Sequence, residues 1–309
     1  MNTMMRLKNI ARLMTAVALG AGLVGAAFAD TYAVLIGVND YPDAVGTDGN
    51  PLKDEKGNPI NHDLKGAVND VESMKKVLID GFSIDKDHIK VVTDKDATEA
   101  GFVGSMKAAL SDIKPGDQFI FFYSGHGGQI DDKDEPDGIE EVIVLGDNQL
   151  VPGDFFGELS KVLAENNIDS TFIFDSCFSG GMSRDGQRVK FLNMVNNKAY
   201  KPVAAARLNG LKTATKKAPA KQEKGEFAFI FAGQEDQPTI DISGLKDVPA
   251  HGVFTLFLSA ILEEMPKAGI NDLVEAIQKA LKELKFDQVP RAEFSSPERA
   301  ALPILVPNP

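Results

Sequence analysis

Apolar residues along the chain fall either in short unbroken runs or at spacings of three and four, and the two patterns alternate. The runs Tyr32–Val38, Ile89–Val92, Gln118–Tyr123, Thr171–Phe174 and Phe227–Phe231 are too short for buried helices. Their Val, Ile and Phe content predicts strands buried on both faces, and Glu141–Leu145 predicts a further short one. Leu64, Val68, Val71, Met74 and Leu78 stand at helical spacing, as do Phe102, Met106, Ala109, Leu110 and Ile113. Further helices are predicted over Asp154–Asn166, near Gly252–Glu264 and over Asn271–Leu284. Strands separated by helices imply an α/β sandwich of three layers, a mainly parallel sheet with helices on both faces. Ligands of such sheets bind beyond the C-terminal ends of the strands.

Two segments break this rhythm. Tyr41–Asp63 is a polar loop rich in Gly, Pro and Asp, with Gly-Asn-Pro at 49–51 and again at 57–59. Lys201–Lys224 carries Lys212, Lys216, Lys217, Lys221 and Lys224 among Ala and Pro and reads as a flexible basic linker on the surface. Neither segment marks a second domain, so residues 30–309 are expected to form one. The N-terminus has a different character: Arg6, Lys8 and Arg12 precede an apolar stretch from Leu13 to Ala27, and Ala27-Phe28-Ala29 offers small residues for cleavage. Residues 1–29 therefore read as a signal peptide, and the protein is expected in the periplasm or outside the cell. The apolar stretch is shorter than the roughly 20 residues of a spanning helix, so no membrane attachment is expected after its removal.

The net charge of −12 becomes more negative still without that basic start. Binding nucleic acid needs clustered Lys and Arg, so nucleic acid is an unsuitable partner; a basic substrate suits the charge better. The single cysteine, Cys177, excludes an internal disulfide. A lone thiol in an oxidising compartment is either buried and inert or put to use.

Its surroundings favour use. Phe121-Phe-Tyr-Ser-Gly-His-Gly-Gly128 places His126 just past one strong strand, on a turn flanked by glycines. Phe172-Ile-Phe-Asp-Ser-Cys-Phe-Ser-Gly-Gly181 places Cys177 in the equivalent position past another. In a parallel sheet both would reach the same rim, where an imidazole can activate a thiol and later protonate a leaving amine. The neighbouring glycines suit backbone amides, those of Gly127 and Cys177, turned toward the oxyanion of an acyl-transfer intermediate. His62, His88 and His251 lack such framing and read as surface or packing residues.

Tyr-Ser-Gly-His-Gly-Gly and Asp-Ser-Cys-Phe-Ser-Gly-Gly resemble the two catalytic segments of metacaspases, relatives of the caspases. Ala33-Val-Leu-Ile-Gly-Val-Asn39 and Leu64-Lys-Gly-Ala-Val-Asn-Asp70 are similar to the family's early motifs, and Phe231-Ala-Gly-Gln-Glu-Asp-Gln237 and His251-Gly-Val-Phe-Thr255 to late ones. The resemblance covers most of residues 32–260. It implies a caspase-like fold, a thioester acyl-enzyme on Cys177 and cleavage of protein or peptide substrates after Arg or Lys. It also implies a pocket for that basic residue built from Asp70, Ser124 and Asp175. Two converging carboxylates would hold a guanidinium or ammonium by charge-assisted hydrogen bonds. The alternative is a catalytically silent caspase-like protein kept as a binding or scaffold module.

Departures from the family pattern are visible. Ala67 stands where many members have a cysteine. Some members need calcium, and the matching positions here are Glu140, Gly153 and Asp154, with Gly153 supplying no carboxylate where calcium takes six to eight oxygens. No cofactor is therefore expected to be required, with calcium at Glu140 and Asp154 as the exception to test. The acidic run Asp131–Asp137 reads as a solvated loop. A protease that prefers basic residues would meet the lysines of the linker, so self-cleavage within Lys212–Lys224 is expected.

Overall fold

The structure is a computed structural model that describes residues 30–43, 45, 48, 50–177, 187–194, 200–215, 224–234, 237–243 and 248–305. The expected signal peptide, residues 1–29, lies outside them. Among the described residues no helix is long and apolar enough to cross a membrane.

In chain order the elements begin with β1 (Thr31–Gly37), α1 (Ala67–Lys76), β2 (Ile89–Thr93), α2 (Glu99–Asp112) and β3 (Gln118–Ser124). A meander follows, of β4 (Gly127–Asp131), β5 (Ile139–Val144) and β6 (Gln149–Pro152), then α3 (Gly153–Glu165) and β7 (Asp169–Asp175). The second half holds β8 (Gln187–Val189), β9 (Phe191–Asn193), β10 (Lys201–Pro202), α4 (Ala205–Lys212), β11 (Phe227–Phe231), β12 (Ile240–Ile242) and β13 (His251–Gly252). It closes with α5 (Val253–Glu264), α6 (Ile270–Glu283), β14 (Arg291–Phe294) and α7 (Pro297–Ala301).

The main sheet runs β14-β11-β7-β3-β1-β2, parallel throughout except for β14 at its edge. Its strands are apolar on both faces because both are covered. Val34, Ile36, Phe119, Phe121, Phe172 and Phe174 point into one core with α2, α3 and α4. Ala33, Leu35, Ile120, Phe122, Ile173, Ala228 and Ile230 point into the other with α1, α5 and α6. The first core is aromatic: Phe121 packs 4.7 Å from Phe156, and Phe172 stacks 4.9 Å from Phe229. Each such ring contributes about 1.5–3 kcal/mol by leaving water.

Two smaller sheets flank the main one at the rim, one ordered β10-β6-β5-β4-β9 and the other β13-β12-β8. The expected linker is more structured than its composition suggests. Its first half forms β10 and α4, because Val203, Leu208 and Leu211 are buried anchors. Residues 216–223 lie outside the described ones. The loop Tyr41–Asp63 returns to the sheet with Tyr41 buried, through isolated bridges Val45–Pro51 and Lys53–Pro59.

Candidate active site

Adjacent strands β3 and β7 pair in register, Ser124 opposite Asp175. His126 and Cys177 each stand two residues beyond that pair, so one register puts both at the same rim of the sheet. Both are buried. His126 is held from three sides. Its backbone N–H donates to the Tyr41 hydroxyl (2.8 Å), its carbonyl accepts from the Tyr123 hydroxyl (2.7 Å), and its Nε2 lies 2.6 Å from the His62 carbonyl. A carbonyl only accepts, so Nε2 carries the proton and Nδ1 the lone pair. Nδ1 is buried with no hydrogen-bond partner among the described residues. Burial pushes the imidazole pKa down to about 3, and the charge of Lys190 adds to the fall. The ring is thus a neutral base with its basic nitrogen uncommitted. Gly125 is required in this turn: a side chain there would run into the Tyr123 and Tyr41 hydroxyls at 2.5 and 2.7 Å. The Cys177 thiol donates to the Gln237 carbonyl at 3.0 Å.

Beside the thiol, the amides of Gly127 and Cys177 converge on one oxygen, the carbonyl of Lys190, at 2.9 and 3.1 Å. That pair of donors is what a developing oxyanion needs, and each is worth about 2.7–4 kcal/mol in acyl transfer.

Below it lies an ionic cluster that the sequence only half disclosed. Asp70, Ser124 and Asp175 do come together, fully buried, but they already hold a cation. Lys190 Nζ is 3.2 Å from Asp70 Oδ2, 3.0 Å from Asp175 Oδ1 and 2.8 Å from Ser124 Oγ. Burial alone would lower the lysine pKa, but Asp175, Asp70 and Asp241 outweigh it and raise it. Burial also opposes the charge of Asp70, yet Lys190, His251 and Ser124 reverse this and lower its pKa. In Asp175 burial prevails, aided by the charge of Asp70, and its pKa is raised. Asp175 Oδ2 accepts from the Thr255 hydroxyl (2.6 Å) and amide (3.2 Å) at the start of α5. Asp70 accepts from the Gly252 amide (3.0 Å) and faces His251 Nδ1 at 3.0 Å. Of the surface and packing readings His251 thus fits the second, buried against Asp70, while the His62 carbonyl faces His126 Nε2. Gly252 packs tightly against the same cluster, since a Cβ there would run into Asp175 and the Lys190 ammonium.

Glu140 and Asp154 are joined by Glu135, their carboxylate oxygens all within 4.8 Å of one another. Glu135 comes from the acidic run read as a solvated loop. Burial pushes Glu140 up to about 7, helped by Asp154 and Glu135. Three crowded carboxylates fit the oxygen preference of a hard divalent cation, and carbonyls or water would have to complete calcium's shell.

A thiol and an imidazole thus stand at one rim of a parallel sheet, with a pair of amides that share one oxygen and a buried acidic cluster around Lys190. The family description "Caspase domain" matches residues 30–302, and the chain belongs to that family. It is 27% identical over 271 residues to metacaspase-1A of Aspergillus oryzae, covering 76% of this chain and 64% of that one. Against metacaspase-1 of Schizosaccharomyces pombe it is 33% identical over 131 residues, 39% of this chain and 31% of the relative. The chain thus spans less than two thirds of the length of these curated relatives. The crystal structure of protein GSU0716 from Geobacter sulfurreducens shares the fold, with a TM-score of 0.60 at 21% identity over 90% of this chain and all of that one.

Proposed function

We propose that this chain is a cysteine endopeptidase that hydrolyses peptide bonds after Lys or Arg, with Cys177 as nucleophile and His126 as base and acid. The observation that carries the reading is that the Gly127 and Cys177 amides share the carbonyl oxygen of Lys190, while Asp70 and Asp175 hold the ammonium of that same residue. In this reading His126 Nδ1 takes the thiol proton and the thiolate adds to the substrate carbonyl. The two amides hold the resulting oxyanion. His126 then protonates the leaving amine, and water hydrolyses the thioester by the reverse proton path. Asp70 and Asp175 select the substrate's basic side chain by charge-assisted bonds, with Ser124 filling the remaining donor direction. Calcium at Glu135, Glu140 and Asp154 would stabilise the corner between β5 and α3, away from these steps, so turnover is expected to continue in excess chelator. The N-terminal 29 residues direct export, and basic peptides or proteins are the partners.

Hydrolysis of short peptide amides ending in Arg, Lys or Asp by the purified chain tests the reading. Arg and Lys amides are expected to be cut and the Asp amide not, with Cys177→Ala and His126→Ala each about 10⁴-fold or more slower. Undiminished turnover by Cys177→Ala, or a preference for Asp, would overturn it.

A further inference from the structure

Lys190 meets the site as a substrate residue would, at three points at once. Its side chain fills the acidic pocket, with no exposure to solvent. Its carbonyl oxygen takes both oxyanion donors. Its amide donates to the Thr239 carbonyl at 3.1 Å. The chain on either side is extended: β8 pairs antiparallel with β12, Val189 opposite Ile240, and β9 pairs parallel with β4, Phe191 opposite Gly127. Adding an extended strand to sheet edges, with one side chain in a pocket, is a common way of binding peptides. A lysine serving only to neutralise two buried aspartates would need its Nζ there, but not its carbonyl on the Gly127 and Cys177 amides.

We infer that Gln187–Asn193 is a built-in substrate of this active site, that the chain cuts its own Lys190–Phe191 bond in cis, and that the uncut segment keeps other substrates out of the pocket. The inference rests on the peptidase reading above. The step balances on this chain's own groups and water. Cys177 Sγ gives its proton to His126 and bonds to the Lys190 carbonyl carbon. The bond from that carbon to the Phe191 nitrogen breaks, and the nitrogen takes the proton from His126. Water then adds to the thioester, its proton passing through His126 to the departing Sγ, and leaves Lys190 with a free carboxylate. A cut here differs from the linker site that composition suggested, because it is Lys190 that occupies the pocket.

Intact-mass analysis and N-terminal sequencing of freshly purified protein, over time and at several concentrations, test this beside Cys177→Ala. A new N-terminus at Phe191 is expected in wild type only, forming at a rate independent of concentration. Turnover of a Lys-ended peptide amide should show a lag that matches the cut. Lys190→Arg should still be cut and Lys190→Gln not. If Lys190→Gln fails to fold, the wild type and Cys177→Ala comparison still decides. Hydrolysis of the amide without a cut after Lys190, a cut only within Lys212–Lys224, or a rate proportional to concentration would overturn the inference while leaving the peptidase reading in place. Hydrolysis of neither the amide nor the chain's own bond would overturn both.

Discussion

Asp70 and Asp175 share a single ammonium, with Asp241 close enough to add to its stabilisation. That excess of negative charge bears on what a substitution does. Removing one partner of an isolated buried ion pair costs about 3–5 kcal/mol, because the other charge is left uncompensated. In Asp175→Asn the lysine keeps Asp70, and the asparagine can still accept from Thr255 through its carbonyl oxygen. Folding should therefore suffer little, while binding of a basic substrate loses one charge-assisted bond of about 1.5–3 kcal/mol. The expected result is a fall in kcat/KM of about 10- to 150-fold for Lys and Arg amides with little change in thermal midpoint. A large fall in midpoint with unchanged kcat/KM would place Asp175 in the scaffold instead. At this scale the sequence was generous with His126 and Cys177, since each ends a strong apolar run beside glycines. It marked His251-Gly-Val-Phe-Thr255 only as a motif and gave no contact for His251 or Thr255, because these depend on the start of α5 meeting Asp70 and Asp175 across more than 70 residues of chain.

Elements differ in the same way. Strands β1, β3 and β7 were legible because both their faces are buried, which leaves unbroken apolar runs. Strands β8 and β9 were not, being three residues each around Lys190, with partners β12 and β4 that no local pattern names. Helix α4 was hidden by the surrounding lysines, although Leu208 and Leu211 stand at helical spacing. The corner of β5, α3 and the acidic run makes a prediction of its own. Glu140 titrates at about 7 in the folded protein, above the usual glutamate value. The unfolded chain therefore releases this proton first. Stability contributed here is complete below the unfolded pKa, falls as pH rises toward 7 and is fully lost above it. Glu140→Gln should accordingly raise the thermal midpoint at pH 8 and have no effect at pH 4. A divalent cation binding Glu135, Glu140 and Asp154 would stabilise the charged form, so millimolar calcium at pH 8 should raise the wild-type midpoint and leave Glu140→Gln unmoved. Equal calcium shifts in both proteins would remove this trio as a cation site.

Across the whole molecule, a cut after Lys190 divides the chain between β8 and β9, and each of the three sheets then draws strands from both fragments. The first fragment keeps β1, β2, β3 and β7, and the second brings β11 and β14 to complete the same sheet. Between them β7 and β11 pair in parallel over five residues, Ser170 opposite Phe227 through Phe174 opposite Phe231. Both cores also cross the division. Phe172 stacks on Phe229 in one, and in the other Val71 and Met74 of α1 share a cluster with Phe254, Phe257 and Leu258 of α5. Separating the fragments would return many such side chains to water at about 1.5–3 kcal/mol each and expose an unpaired edge of β7. Losing one covalent connection costs far less, since the entropy of rejoining two ends grows only slowly with chain length. The cut protein should therefore elute from gel filtration at the volume of the uncut Cys177→Ala chain and part into two pieces only in denaturant. The pocket, in contrast, should loosen, because Lys190 is then tethered from the β8 side alone and a substrate lysine can displace it. Dissociation of the fragments at micromolar concentration without denaturant would mean that the division does cross a weak interface.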